Sequence, residues 1–295
     1  MELQQMRYVL AVAATGNFTR AAKQCLVVQS ALSHQIAALE RELGAKLFAR
    51  TSRRVALTPA GEAFLPAARA CLEAADRAAA DAAAATGEIR GRLTIGIIPT
   101  VTGIDLPAAL HAFLSAHPLV RIALRSAGSD DLAAGIRAGE VDVAVLGLPE
   151  SVKPRGVRYR VLNHDHHVAV LATGHHLAGL PRVDLATLAP EPFADFPAGT
   201  PGRAQSDLAF AAAALTRDVA FEAMSTDLMI GLIRQSLAVA LLPSRFVAGM
   251  DDLVTIPVTN GPARVEYLAW NDFNPTPAAT AFLEAVGHPA SEPDA

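Results

Sequence analysis

Cysteine is scarce in this chain: Cys25 and Cys71 stand 46 residues apart, both in stretches that read as helical. A disulfide framework or a cysteine zinc site needs more ligands at tighter spacing, so both are expected as buried thiols in a reducing compartment. Charged residues make up only 18% of the chain against 52% hydrophobic, a balance that excludes disorder. With 295 residues the chain can build two or three compact domains. No uncharged run reaches the roughly 18 residues of a membrane span. Val9 to Ala14 after Arg7 is too short for a signal peptide and flows into Asn17-Phe18-Thr19-Arg20, so a cytoplasmic location without membrane contact is expected. GxSxG, P-loop, GxGxxG and HExxH patterns are missing, so neither an enzyme nor a cofactor is expected.

What is present is a charge asymmetry. The whole chain carries a formal −4, yet residues 1–58 hold eight Lys/Arg against three Asp/Glu, a net +5. Residues 59–91 are −2 and the remaining 204 residues −7. Only the basic head can lie on phosphates without repulsion.

In that head, Met6, Val9, Leu10 and Ala13 share one face of a helix from Gln4 to Ala14, closed by Gly16. Thr19 reads as the N-cap of a second helix, Arg20 to about Leu26. A third helix is predicted from Gln29 to Leu43, with Leu32, Ile36, Leu39 and Leu43 inward and Gly44 ending it. Gln29, Ser30, Ser33 and His34 lie on its polar face. Such an arrangement is a helix-turn-helix whose last helix can enter a major groove. Leu47, Phe48 and Val55 look like anchors of a short hairpin, a wing that leaves Lys46, Arg50, Arg53 and Arg54 outside for phosphates.

Four stretches carry a resemblance. Phe18-Thr19-Arg20-Ala21-Ala22, Gln29-x-Ala31-Leu32-Ser33-x-Gln35-Ile36-x-x-Leu39-Glu40, Leu43-Gly44-x-x-Leu47-Phe48-x-Arg50 and Leu57-Thr58-x-x-Gly61-Glu62 are similar to the LysR-type transcriptional regulators. The resemblance implies a winged helix-turn-helix over residues 1–58. Its candidate DNA contacts are Thr19, Arg20, Gln29, Ser30, Ser33, His34, Arg50, Arg53 and Arg54. It also implies double-stranded operator DNA and a small-molecule effector as partners, a homodimer or dimer of dimers, and contact with RNA polymerase as a possibility. Val28, Ser30 and His34 depart from the family's usual Ser, Pro and Arg.

Thr58-Pro59 is a cap followed by Pro at the first helical position, and an Ala-rich helix to about Ala85 follows. Leu65, Ala68, Leu72, Ala75, Ala79 and Ala82 recur at coiled-coil spacing, and Pro66 should kink the helix or leave one bond unmade. The competing reading is a solvated spacer; the resemblance favours dimerisation. Residues 59–91 are thus a linker helix with a hinge at Thr86 to Gly91.

From residue 92 strands alternate with helices, which predicts an α/β body with a parallel sheet and helices on both faces. The resemblance implies two subdomains, 92–161 with 268–295 and 162–267, joined by two crossings in a periplasmic-binding-protein-like clamshell. Ligands sit beyond strand C-terminal ends, which selects Pro99, Thr100, Val101, Thr102, Ser129, Gly147, Phe196, Thr200, Gly202 and Thr226 as effector-binding candidates. Helix starts there favour an anionic effector. Ser236 and Ala238 stand where relatives commonly have Gly, which would reshape the pocket.

His164, His166, His167, His175 and His176 put five histidines in thirteen residues. A metal- or pH-responsive regulator is one alternative, but His166 and His167 point to opposite sides of a strand and no cysteine helps, so no metal site is assigned. A solute-binding clamshell is the other alternative, and it leaves the basic head without a use. Because His34 removes the family's usual arginine, His34→Arg should change the operator selected from random DNA by about 1–3 kcal/mol at one base pair; an unchanged selected sequence would refute this.

Overall fold

The computed structural model describes residues 1–50, 55–272 and 275–287. These fall into two compact units, Met1–Gly87 and Glu88–Ala295.

The first unit is built from α1 (Leu3–Thr15), α2 (Phe18–Gln24), α3 (Gln29–Leu43), the hairpin β1 (Phe48–Arg50) and β2 (Val55–Leu57), and α4 (Pro59–Ala84). One core joins them: Val9, Val12, Ala21, Leu32, Ile36, Leu39 and Leu47 are almost fully buried together. Capping residues set the boundaries. Gly44 ends α3 at φ 66, the left-handed conformation that glycine adopts without penalty. Asn17, not Thr19, caps α2, accepting the Arg20 N–H at 3.0 Å. The helix therefore begins two residues earlier than expected, and Thr19 lies exposed within it. Val28 precedes α3 with no side-chain cap.

Thr58 caps α4 through the Gly61 N–H at 3.0 Å. At Gly61 a Cβ would fall 2.1 Å from the Leu47 carbonyl oxygen, so only glycine lets the helix start sit against the wing. Pro66 leaves α4 unbroken, although with no N–H it offers the Glu62 carbonyl nothing. The expected seam on α4 is divided. Leu65, Ala68, Leu72 and Ala75 are wholly or partly covered within the unit, where α4 lies against α1, whereas Ala79 and Ala82 are exposed. Cys71 is exposed and Cys25 half-buried, against the expectation of two buried thiols.

The second unit contains β3 (Gly91–Ile97), α5 (Leu106–Ala116), β4 (Val120–Ser126), α6 (Ser129–Arg137), β5 (Val143–Pro149) and β6 (Arg158–Ala172). It continues with β7 (Val183–Asp184), α7 (Leu185–Leu188), β8 (Pro192–Asp195), α8 (Pro201–Ala212), β9 (Asp218–Glu222) and α9 (Thr226–Arg234). Then come β10 (Ala240–Pro243), β11 (Leu253–Thr259), β12 (Ala263–Trp270) and α10 (Pro277–Ala285). The expected parallel sheet is mixed instead. Strands β4, β3 and β5 are parallel, but β12 runs antiparallel to both β5 and β6. The reason is β6, which spans 15 residues with a polar first half and an apolar second half. That polar half pairs with β12 and the apolar half with β10 and β11.

β6 and β12 are thus the two crossings between a lobe around Leu93, Ile95, Phe113 and Phe282 and a lobe around Leu171, Phe193, Phe210 and Leu241. Among the described residues no helix is long and apolar enough to cross a membrane.

Ser236 and Ala238 do not line the cleft between these lobes. Ser236 instead follows α9 at φ 57, the left-handed conformation that glycine adopts without penalty. A side chain there costs about 1–2 kcal/mol, so Ser236→Gly should raise stability by about 1 kcal/mol, read as a higher Tm; a lowered Tm would contradict this.

Candidate functional site

Two regions draw the candidate residues together, one in each unit. In the first, Gln29, Ser30 and His34 are exposed and Ser33 half-exposed on the opening turns of α3. Gln29 Nε2 donates to Ser33 Oγ at 2.7 Å, which fixes the amide along the helix face. Arg20 is exposed and donates to the Thr15 carbonyl at 2.6 Å, so it is anchored beside this face. Arg50 belongs to β1, while Arg53 and Arg54 lie outside the described residues. Leu26 and Val28, 92% and 68% exposed, flank the start of α3. They are apolar neighbours of the polar face that polarity-based reading passes over.

Glu40 holds the wing in place. It is buried, accepts the Leu47 N–H at 2.9 Å and the Phe48 N–H at 3.3 Å, and pairs with Lys46 Nζ at 2.9 Å. Burial alone would raise its carboxyl, but the Lys46 ammonium and the two amide donors outweigh burial and hold it below the usual range.

In the second unit a narrow cleft of about 30 Å³ lies at the strand ends. Pro99, Thr100, Ser129 and Gly147 line it from one lobe, and Phe196, Thr200 and Gly202 from the other. Val101, Thr102 and Thr226 do not: Thr102 turns to Glu266, donating its hydroxyl at 2.5 Å, and Thr226 opens α9 behind the Ser225 cap. Two helices start at the cleft. Gly128 precedes α6 without a side-chain cap, and Thr200 caps α8 through the Arg203 N–H at 3.3 Å.

Ser129 Oγ both donates to and accepts from Gly147, at 3.0 Å. Gln205 Nε2 reaches across to the same Gly147 carbonyl at 3.2 Å, a direct tie between the lobes. Behind Phe196, Asp195 accepts its N–H at 2.7 Å and pairs with Arg217 at 2.8 Å. Arg217 in turn stacks on Phe193 and Phe210. Burial nevertheless pushes the Asp195 carboxyl up to about 6.

Arg264 and His167 also line the cleft, with Gln205, Met224 and Pro243; none of these five was foreseen as a site residue. Arg264 is 2% exposed and donates to the Thr100 hydroxyl and carbonyl, both at 2.7 Å, while pairing with Glu266. Its Nε is buried with no acceptor among the described residues. Burial lowers its pKa, opposed by Glu266 and Asp165. His167 is fully enclosed; burial, then the charge of Arg264, drives its pKa down to about 3, so it is neutral. Its Nδ1 lies 3.3 Å from the Pro262 carbonyl, which can only accept, so the proton is on Nδ1 and Nε2 remains an acceptor. Sequence gave no local sign of Arg264, because Thr100 is 164 residues away.

The remaining histidines separate. His164 neighbours Glu150, His166 neighbours Asp165, and His175 and His176 both face Glu191.

This pairing of a wing-bearing helix-turn-helix with a two-lobed cleft defines a ligand-gated transcriptional regulator. The family descriptions "Bacterial regulatory helix-turn-helix protein, lysR family" and "LysR substrate binding domain" match residues 3–62 and 86–289. The chain belongs to the LysR family of transcriptional regulators. It is 33% identical to the uncharacterized HTH-type transcriptional regulator YnfL of Escherichia coli K12, over 96% of both chains. It is 38% identical to a probable hydrogen peroxide-inducible genes activator of Mycobacterium avium, over 63% of this chain and 60% of that one. Full-length CbnR complexed with its target DNA superposes with a TM-score of 0.74 at 27% identity, over 97% of this chain and 99% of that one.

Removing Glu40 strands two amide donors. Glu40→Ala should cost about 1–3 kcal/mol and weaken DNA affinity, seen in urea unfolding and anisotropy. Because the folded pKa is lowered, the wild-type contribution is complete above the unfolded pKa and disappears as pH falls through the folded one. A variant as stable as wild type at pH 7 would contradict this.

Proposed function

We propose that this chain is a cytoplasmic, homo-oligomeric repressor or activator, not an enzyme, that binds operator DNA through α3 and is set by a small anionic effector. Its parts are the winged head 1–58, the linker helix 59–91 and the effector body 92–295. Within that body, 92–161 with 268–295 forms one lobe and 162–267 the other. Gln29, Ser30, Ser33 and His34 meet base edges; Thr19, Arg20, Arg50, Arg53 and Arg54 meet phosphates. The exposed part of the α4 seam at Ala79 and Ala82 suits pairing with a second copy.

One observation carries the effector class: the buried Arg264 guanidinium with a spare Nε, set where α6 and α8 begin. A carboxylate satisfies that donor and gains from both helix starts. His167 lines the same cleft in its neutral form, so its Nε2 can accept from a donor on the same ligand. A small hydroxy- or amino-carboxylate offers both groups, and the lobes must part to admit it. The effector acts only as far as it prefers one lobe arrangement over another.

Thermal-shift screening of small carboxylates should therefore favour those with a hydroxyl or amino group over their unsubstituted analogues by tenfold or more in Kd. DNA affinity should fall steeply with salt, and this dependence should vanish when residues 1–58 are removed. Equal binding of substituted and unsubstituted acids would overturn the effector class; salt-independent DNA binding would overturn the head's role.

A further inference from the structure

A second ligand site lies away from the cleft, at the foot of β8. The turn after β6 presents His175 and His176 side by side, their rings stacked at 4.5 Å and 30°. Glu191, the residue before β8, faces them. His175 Nε2 stands 3.3 Å from one carboxylate oxygen and His176 Nε2 3.2 Å from the other. All three ligand atoms lie within 4.8 Å of one another. We infer that His175, His176 and Glu191 bind one divalent first-row transition ion of the zinc type.

Coordination geometry supports this. Bonds of about 2.0–2.1 Å to a tetrahedral ion put neighbouring ligand atoms about 3.3–3.4 Å apart. His175 Nε2 already stands at that length from one Glu191 oxygen, whereas charge-assisted hydrogen bonds are usually about 2.7–2.9 Å. His176 Nε2 stands at that length from the other oxygen and reaches the shared one as its ring turns. The third edge closes by rotation of His176, whose side chain is 67% exposed and free to move. His175 and Glu191 are largely enclosed, at 13% and 16%, so two ligands are preorganised and the third leaves an entry path.

Backbone bonds hold this arrangement: the His175 N–H donates to Ala172 and the Glu191 N–H to Leu188, so both turns are fixed. Coordination through Nε2 places the His175 proton on Nδ1. The Leu177 N–H contact to that atom, long at 3.3 Å, then gives way.

Two imidazoles and one carboxylate select zinc, nickel or copper over magnesium or calcium, with water completing the shell. The other histidines of the 164–176 run do not compete. His164 with Glu150 and His166 with Asp165 each bring one ring to one carboxylate. His167 is sealed within the cleft wall. An ion here would brace the turn after β6 against β8, whose other end leads to Phe196 in the cleft.

Calorimetric titration of the full-length protein with zinc chloride tests the site. One zinc per chain is expected. His176→Ala, which alters an exposed side chain and leaves the fold intact, should weaken binding at least tenfold, as should Glu191→Gln. A His164→Ala/His166→Ala double variant should bind as wild type. The site is overturned if wild type takes up no zinc, if His176→Ala binds unchanged, or if the double variant loses the ion. Cobalt substitution adds a separate readout: weak visible bands without thiolate charge transfer are expected, and charge-transfer bands would place the metal at Cys25 or Cys71.

Discussion

The second unit depends on an ion pair hidden where its two lobes meet. Arg264 and Glu266 lie two residues apart on β12, one of the two strands that pass between lobes, and both are essentially inaccessible to water. Removing two charges from water costs several kcal/mol per ion unless hydrogen bonds replace the lost hydration. Thr100, Thr102 and Gly103, all from the segment after β3, supply those bonds. The cleft floor is thereby tied to the crossing strand. Among the described residues no acceptor meets the guanidinium Nε, which lies buried beside the cleft.

The same economy shapes the head. Glu40 is a buried acid that earns its place by gathering the wing's first two amide donors and one lysine. It links the interior of α3, whose opening turns carry the polar reading face, to the hairpin that follows. The face and the wing are therefore positioned by one carboxylate rather than by packing alone, and Gly61 completes the link by allowing α4 to start against the Leu47 carbonyl.

Where signals are local, sequence reads the structure well. The range of α3 follows from its apolar spacing and from Gly44. Thr100 and Ser129 line the cleft where the rule that ligands gather beyond strand ends points, whereas Gly147 lines it from within β5. Asn17 was passed over because Thr19 is an equally good cap by type, and only geometry chooses between them. The polar half of β6 hid its length, since polar residues paired against another crossing strand show no apolar pattern. Arg264 and His167 were hidden because their partners come from distant segments, and the run of histidines drew attention to proximity along the chain rather than in space. Glu191, fifteen residues from His176, shows the same limit.

Hydrogen exchange of the full-length protein, with and without the tightest-binding hydroxy- or amino-carboxylate, tests the role of the cleft most directly. Protection should rise together in residues 99–102 and 128–130 of one lobe and 196–205 of the other, with a change also reaching 264–266. Protection confined to one lobe, or arising only outside these segments, would contradict it.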